Sequence, residues 1–160
     1  MLSLPLAVIV LTACGFHLRG QVAMPFKTLY LNAVNAGTPF VSELRRSLEA
    51  NHVQMVDASS KADLTLNIES EDSDKQILSL GGGGRVNEFR LTYRVSLRAY
   101  DLKQQEWIPA EEMEQRRDYS YDDTKILAKE SEEALLLQSL RLDMAQQIMR
   151  RLSRAKPQPN

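Results

Sequence analysis

Apolar and polar positions alternate with period two in several stretches of this chain and recur with helical spacing in two others. From Phe26 to Asn32, Leu29 and Leu31 fall on one side and Thr28 and Tyr30 on the other, which predicts a strand. Ala36-Gly37 breaks that pattern. Thr38 is a good N-cap, Pro39 suits the first helical position, and Phe40, Val41, Leu44 and Leu48 follow helical spacing. A helix is therefore predicted from Pro39 to Ala50, with Asn51 as its stop. Leu64, Leu66 and Ile68 alternate with Thr65, Asn67 and Glu69 in a second strand, which can continue through Gln76 to Leu80. The clearest alternation follows. Phe89, Leu91, Tyr93, Val95, Leu97 and Ala99 share one face, and Arg90, Thr92, Arg94, Ser96 and Arg98 the other. One face belongs on a core and the other stays wet. After a turn over Asp101 to Glu106, Trp107 to Tyr121 reads as the returning strand, with Pro109 near its start or at a bulge.

From Asp122 or Asp123 a long acid-capped helix is predicted. Its buried stripe is Ala134, Leu137, Leu140, Met144, Ile148 and Leu152, and Arg150, Arg151 and Arg154 sit where cations suit the helix dipole. The order β-α-β-β-β-α implies an α+β fold: a mostly antiparallel sheet of about four strands packed against two helices on one face. The domain is expected over 26–154. The tail from 155 to 160, polar and Pro-rich, is expected to be disordered.

The N-terminus has a different pattern. Leu2 to Leu11 is apolar apart from Ser3, with Pro5 inside it, and is too short to span a bilayer but long enough for a signal-peptide core. Leu11-Thr12-Ala13-Cys14 then places small residues before a lone cysteine, the pattern of a bacterial lipoprotein signal. Processing there attaches a diacylglyceryl group to the Cys14 sulfur, cleaves after Ala13 and adds an N-acyl chain, palmitate, to the new terminus. Residues 1–13 would then be a cleaved signal and 14–25 a lipidated linker. No charge precedes Arg19, which suggests a true start upstream or a trimmed chain. The competing reading is a buried N-terminal strand with a structural cysteine. Acylation also accounts for an odd cysteine in an exported chain, because Cys14 is the only one and no intramolecular disulfide can form. Gly15, where Asp would favour the inner membrane, points to the outer membrane.

The chain has 160 residues and a formal net charge of −1, which suits one domain and gives no global attraction to nucleic acid. His17 and His52 have no cysteine or carboxylate at metal-ligand spacing, and no Gly-x-Ser-x-Gly elbow occurs, so neither catalysis nor a cofactor is indicated. Gly81 to Gly84 lacks the Lys-Ser or Lys-Thr of a phosphate-binding loop and reads better as a flexible hairpin tip that presents Arg85. Arg90, Arg94 and Arg98 repeat every 13 Å or so along one strand face. They either pair across strands with Glu69, Glu71, Glu112 or Glu114, or form an anion-binding or partner-facing surface. Lys129, early in the long helix, either pairs with Glu133 at i,i+4 or is solvated.

Cys14-Gly-Phe-His-Leu-Arg-Gly20 resembles the opening of the LPS-assembly lipoprotein LptE family. Phe40 to Asn51 is similar to that family's first helix. Asn87-Glu88-Phe89-Arg90-Leu91 is similar to its Glu-aromatic strand opening, and Leu127-Ala128-Lys129-Glu130 with Gln147 to Leu152 to its second helix. The resemblance implies a non-enzymatic outer-membrane lipoprotein of Gram-negative bacteria, anchored through Cys14 on the periplasmic side. It implies a plug in the lumen of the LptD β-barrel that helps that barrel assemble and takes part in lipopolysaccharide transport to the cell surface. It also implies lipopolysaccharide contact, with Lys129 at the matching helix position and Arg85 displaced along the loop. A polar barrel lumen suits a mixed-charge plug. The alternative is a free periplasm-facing lipoprotein that carries lipid or acts as a chaperone, which needs an apolar cavity. An enzyme would need a cleft of converging carboxylates.

Overall fold

The computed structural model describes residues 23–158, and the expected signal (1–13), the Cys14 lipidation site and most of the 14–25 linker lie outside them. Five strands and two helices follow in order: β1 (Thr28–Ala33), α1 (Pro39–Ala50), β2 (Gln54–Met55), β3 (Leu64–Leu80), β4 (Val86–Tyr100), β5 (Glu106–Ser120) and α2 (Ile126–Arg154). The sheet order is β2-β1-β3-β4-β5. β3, β4 and β5 form a long antiparallel meander, whereas β1 runs parallel to both β2 and β3. The expected α+β architecture holds, with a fifth strand added. β2 has two residues, too few for an alternation to show in a sequence. The helix between β1 and the next strands returns the chain to its starting edge, and such a return makes neighbouring strands parallel.

α1 forms where its residues predict. Thr38 Oγ1 accepts from the Val41 N–H at 3.2 Å, Pro39 occupies the first turn, and Asn51 is the C-cap. His52 then turns the chain with φ 63° and sends it into β2. Phe40, Val41, Leu44 and Leu48 of α1 are buried together with Leu29, Leu31, Leu64, Leu66, Val95 and Leu97 of the sheet. Leu140, Met144, Ile148 and Leu152 of α2 close the same core, so both helices cover one face.

α2 differs from expectation in its first half. Asp122 Oδ1 does accept from the Thr124 N–H at 3.0 Å, but that cap opens a short 3₁₀ turn, and the α-helix starts at Ile126. Ala134, expected in the buried stripe, is exposed, Leu137 is half-buried, and full burial begins only at Leu140. The reason lies in the sheet beneath. A bulge between Ile68 and Ser70 shifts the β3 register by one, so Glu71, Ser73 and Lys75 turn to the helix side opposite Val95, Tyr93 and Leu91. The first half of α2 therefore meets polar groups. A second irregularity, between Leu97 and Ala99 on β4, falls opposite Pro109 and Ala110 of β5, an edge strand where proline is tolerated.

Residues 155–158, expected to be disordered, are held against the sheet. The Gln158 N–H donates to the Glu106 carbonyl at 2.8 Å, Gln105 Nε2 donates to the Gln158 carbonyl at 2.9 Å, and Ala155 is buried. The helix ends at Arg154 ahead of Pro157, and the extended chain that follows lies along the open β5 edge.

Candidate functional site

β4 and β5 carry the fold's chemistry well beyond its core. Each has 15 residues and, at about 3.3 Å per residue, runs about 50 Å, so the meander has two distant ends. One end is the glycine tip. Gly81 to Gly84 close it, with the Gly81 N–H donating to the Arg85 carbonyl at 2.8 Å and Gly83 and Gly84 at φ 79° and 78°. Only glycine takes that backbone without strain. The tip therefore bends sharply and leaves Arg85 outside it, its side chain 76% exposed and 4.0 Å from Asp123.

Lys129 belongs to the same end, since Ser120, opposite Glu88 in the register, accepts from its Nζ at 3.3 Å. Its ion-pair partner is Glu132 at 2.7 Å, not Glu133, and its side chain is only 15% exposed. The structure thus brings both sequence-selected cations to one end but in different states. Arg85 is available to an anion, whereas Lys129 has to leave Glu132 to reach one.

Glu133 is taken by a cluster that alternation did not reveal. Lys75 Nζ lies 2.5 Å from Glu133 Oε2 and 4.3 Å from the centre of the Phe89 ring, and the Tyr119 hydroxyl donates to the same carboxylate at 2.7 Å. Burial pulls the Lys75 pKa down, but its bonds to Glu133 and Tyr119 outweigh this and hold it above its ordinary value. Burial likewise raises Glu133, and Lys75 and Tyr119 outweigh that and hold it low. Phe89 stacks on Tyr119 and meets Tyr121 edge-on, so the tip end has an aromatic base under the first turns of α2. Lys75 was missed as a third cation of this end because the β3 bulge reverses which residues face the helices.

The polar seam between β5 and α2 continues down the domain. Arg117 pairs with Asp143, Gln115 Nε2 donates to Gln147, and Arg151 makes two bonds to Glu111 at 2.9 and 2.7 Å. Deeper in, the buried Tyr93 hydroxyl donates to Glu71 Oε1, and Thr38 Oγ1 donates to Glu71 Oε2, both at 2.6 Å. Burial, with Glu71 adding to it, pushes the Tyr93 pKa far up, so this hydroxyl stays a donor.

The face of the sheet that carries no helix is polar along its length. Arg90 is bidentate to Asp118 at 2.8 Å, Arg94 reaches Glu114 at 2.9 Å and Asp72 at 3.6 Å, and Arg98 reaches Glu69 at 3.1 Å. Arg116 joins Glu114. The hydrogen bonds from Arg90 hold Asp118 below the usual carboxyl range, and those from Arg116 and Arg94 do the same for Glu114. The three arginines thus pair across strands, as the pairing reading anticipates, with Asp118 and Asp72 as partners it did not name.

Two cavities stand out. One of about 710 Å³ lies between the start of β5, the end of α2 and the tail, and is lined by a mixture of charged and apolar residues. The other, about 340 Å³, lies at the N-terminus of α1 beside Glu69 and Glu71. The larger of the two is not the apolar pocket a lipid carrier needs. Among the described residues, no group of three or more His, Cys, Asp or Glu is placed to hold a metal, and no helix is long and apolar enough to cross a membrane.

A family model described as LptE, lipopolysaccharide-assembly, matches residues 26–152. The LPS-assembly lipoprotein LptE of Pectobacterium atrosepticum is 29% identical over 154 residues, covering 94% of this chain and 83% of that protein. The protein of the same name from Yersinia pestis is 31% identical over 154 residues, covering 94% and 73%. Among solved structures, lipoprotein B from Nitrosomonas europaea matches with a TM-score of 0.74 and 36% identity, over 87% of this chain and 90% of that one. The rare lipoprotein B from Shewanella oneidensis matches with a TM-score of 0.70 and 27% identity, over 78% and 92%.

Proposed function

Since this chain belongs to the LptE lipopolysaccharide-assembly family, we propose that it is an outer-membrane lipoprotein that plugs the LptD β-barrel and helps it assemble. Its role in lipopolysaccharide assembly and its lack of enzymatic activity come with the family. The barrel partner is the finer step, and one observation carries it: the bare face of the sheet. Opposite charges facing one another across strands are common on a wet sheet face; here the pairing runs the length of β4. Here Arg90, Arg94 and Arg98 are each tied to a carboxylate on a neighbouring strand. Such a face is mixed in sign, with its arginines paired, and it suits the polar wall of a large barrel, where an apolar face would not. Purification of the barrel from its native membrane tests this. The protein should accompany it in near-equal amount, and its absence from the purified barrel sinks the plug reading.

Lipopolysaccharide contact is assigned to the glycine tip. Arg85 is exposed and loosely held, and Lys129 and Lys75 stand behind it. Leu80, Ile126 and Leu127 are exposed at the same end. Phosphate and acyl chain would each find a matching group there. Arg85→Asp should weaken lipopolysaccharide binding more than Lys129→Asp, because Lys129 already has a carboxylate partner. Equal affinity of both variants and the parent chain would remove the tip from the proposal. Cys14 is proposed as the lipid anchor. Its replacement by Ala, followed by membrane fractionation, separates anchoring by the acyl chains from retention by the barrel.

A further inference from the structure

We propose that the end of the domain opposite the glycine tip is a membrane-facing surface, where Arg150, Arg154 and Lys156 engage the phosphates of anionic phospholipids in the leaflet beside the anchor. The placement rests on reading Cys14 as the lipid-bearing residue; the charge argument does not.

The three cations line the groove of about 710 Å³ beside Trp107 at the start of β5. The bonds of Gln158 to Glu106 and Gln105 hold the tail there and bring Lys156 to the end of α2. All three side chains are exposed, and none has an ion pair or hydrogen bond among the described residues. Their neighbour Arg151 shows the contrast, being bidentate to Glu111. The carboxylates of the groove are mostly spent: Glu111 on Arg151, and Glu114 on Arg94 and Arg116. Only Glu112 remains to oppose three free cations. On the bare sheet face, by contrast, every strand arginine has found a carboxylate. Attraction to the helix C-terminus explains Arg154 in part, but not Lys156, which lies beyond the helix.

With Cys14 as the anchor, the chain enters the fold at this end. Phe26, where the fold begins, meets Trp107 edge-on with ring centres 6.4 Å apart. Twelve residues separate it from Cys14, which is at most about 40 Å of extended chain. An anchor at Cys14 would therefore keep this end within about 40 Å of the leaflet, whereas the tip lies about 50 Å farther along the meander. Guanidinium groups suit phosphate because their fork donates two bonds at once. Two such contacts, with the Lys156 ammonium beside them, would set the long axis of the meander away from the leaflet, with the tip about 50 Å distant.

The test uses the full chain carrying Cys14→Ser, so that no acyl chain contributes, and measures co-sedimentation with vesicles. The parent should bind vesicles of phosphatidylglycerol and phosphatidylethanolamine and not those of phosphatidylcholine. Each cation at an anionic surface is worth about fivefold, so replacing Arg150, Arg154 and Lys156 by Gln should lower the partition about a hundredfold. The same charge loss at Arg45, Arg46 and Lys125 should change it less than about threefold. Equal losses in the two triple variants, equal binding to phosphatidylcholine, or no binding by the parent would each overturn the proposal. Labelling of the wild-type chain with palmitate reports separately on Cys14. Lipopolysaccharide binding by the groove variant, expected to be unchanged, keeps this surface distinct from the tip.

Discussion

Replacing Glu133 by Ala should destabilise the domain by about 2 kcal/mol, most of it through Tyr119. The Tyr119 ring is buried, and its hydroxyl donates to Glu133 at 2.7 Å. Removing the carboxylate leaves that hydroxyl without an acceptor, which costs about 1–3 kcal/mol. The ion pair with Lys75 adds little, because the two side chains are 36% and 30% exposed and solvent screens them; about 0.5 kcal/mol is a fair share. Glu133→Gln keeps an amide oxygen for Tyr119 and loses only the charge, so about 0.5 kcal/mol is expected. Urea unfolding followed by the fluorescence of Trp107, the single tryptophan, gives both values. Hydrogen exchange over 126–139 should rise in the Ala variant, since this cluster ties the first half of α2 to the sheet. The acid side separates the variants further. The Glu133 pKa is lowered in the folded chain, so its contribution is complete above the ordinary carboxyl range and is lost as the pH falls through the lowered value. The Gln variant should lack that part of the acid decline. An Ala variant as stable as the parent, or a Gln variant that costs as much as Ala, would refute the assignment of the cost to Tyr119.

Thr38→Ala should cost about 1 kcal/mol through the lost N-cap, plus the bond Thr38 donates to Glu71; thermal unfolding of Thr38→Ala beside Thr38→Asp, which keeps a cap acceptor but has no hydroxyl to donate, separates the two. Leu140→Ala, at a position with no exposure between the sheet and α1, should cost about 2–5 kcal/mol, whereas Leu135→Ala on the exposed half of the same helix should stay within about 0.5 kcal/mol. Asp63 accepts from the Lys27 and Thr28 N–H groups at 2.9 Å, and these bonds lower its pKa. Its hold on the start of β1 should be complete above the ordinary aspartate range and weaken as the pH falls through the lowered value, and exchange of those two amides against pH reads this directly.

Much of this architecture is legible in local pattern. Thr38-Pro39 announced α1 and its cap, and the alternation from Phe89 to Ala99 announced β4 and its core face, although Thr92 on the opposite face is buried too. These features depend on contacts within a few residues, which is the range over which a sequence reports its own backbone. The resemblance of Cys14 to Gly20 and of the later segments led to the family, and the match over 26–152 bears that out. Arg85 was readable as an exposed cation because four glycines in a row leave nothing to bury it.

What the sequence alone determined, then, is both helices, the four longer strands, the core faces of α1 and β4 and of the first part of β3, and the family. Tertiary structure decided how those elements meet. The two-residue β2, the parallel pairing of β1, and the β3 bulge arise from strand neighbours far apart in the chain. One register shift near Glu69 decided that Glu71 would hold Tyr93 and Thr38, that Lys75 would meet Glu133, and so that Glu132 would be left for Lys129. It also decided that the first half of α2 rests on polar groups. The same long-range packing laid the tail along the open β5 edge and left Arg150, Arg154 and Lys156 without carboxylates. Charge pairing depends on distances of a few ångströms between residues tens of positions apart, and a period along one strand carries no information about its neighbour's register.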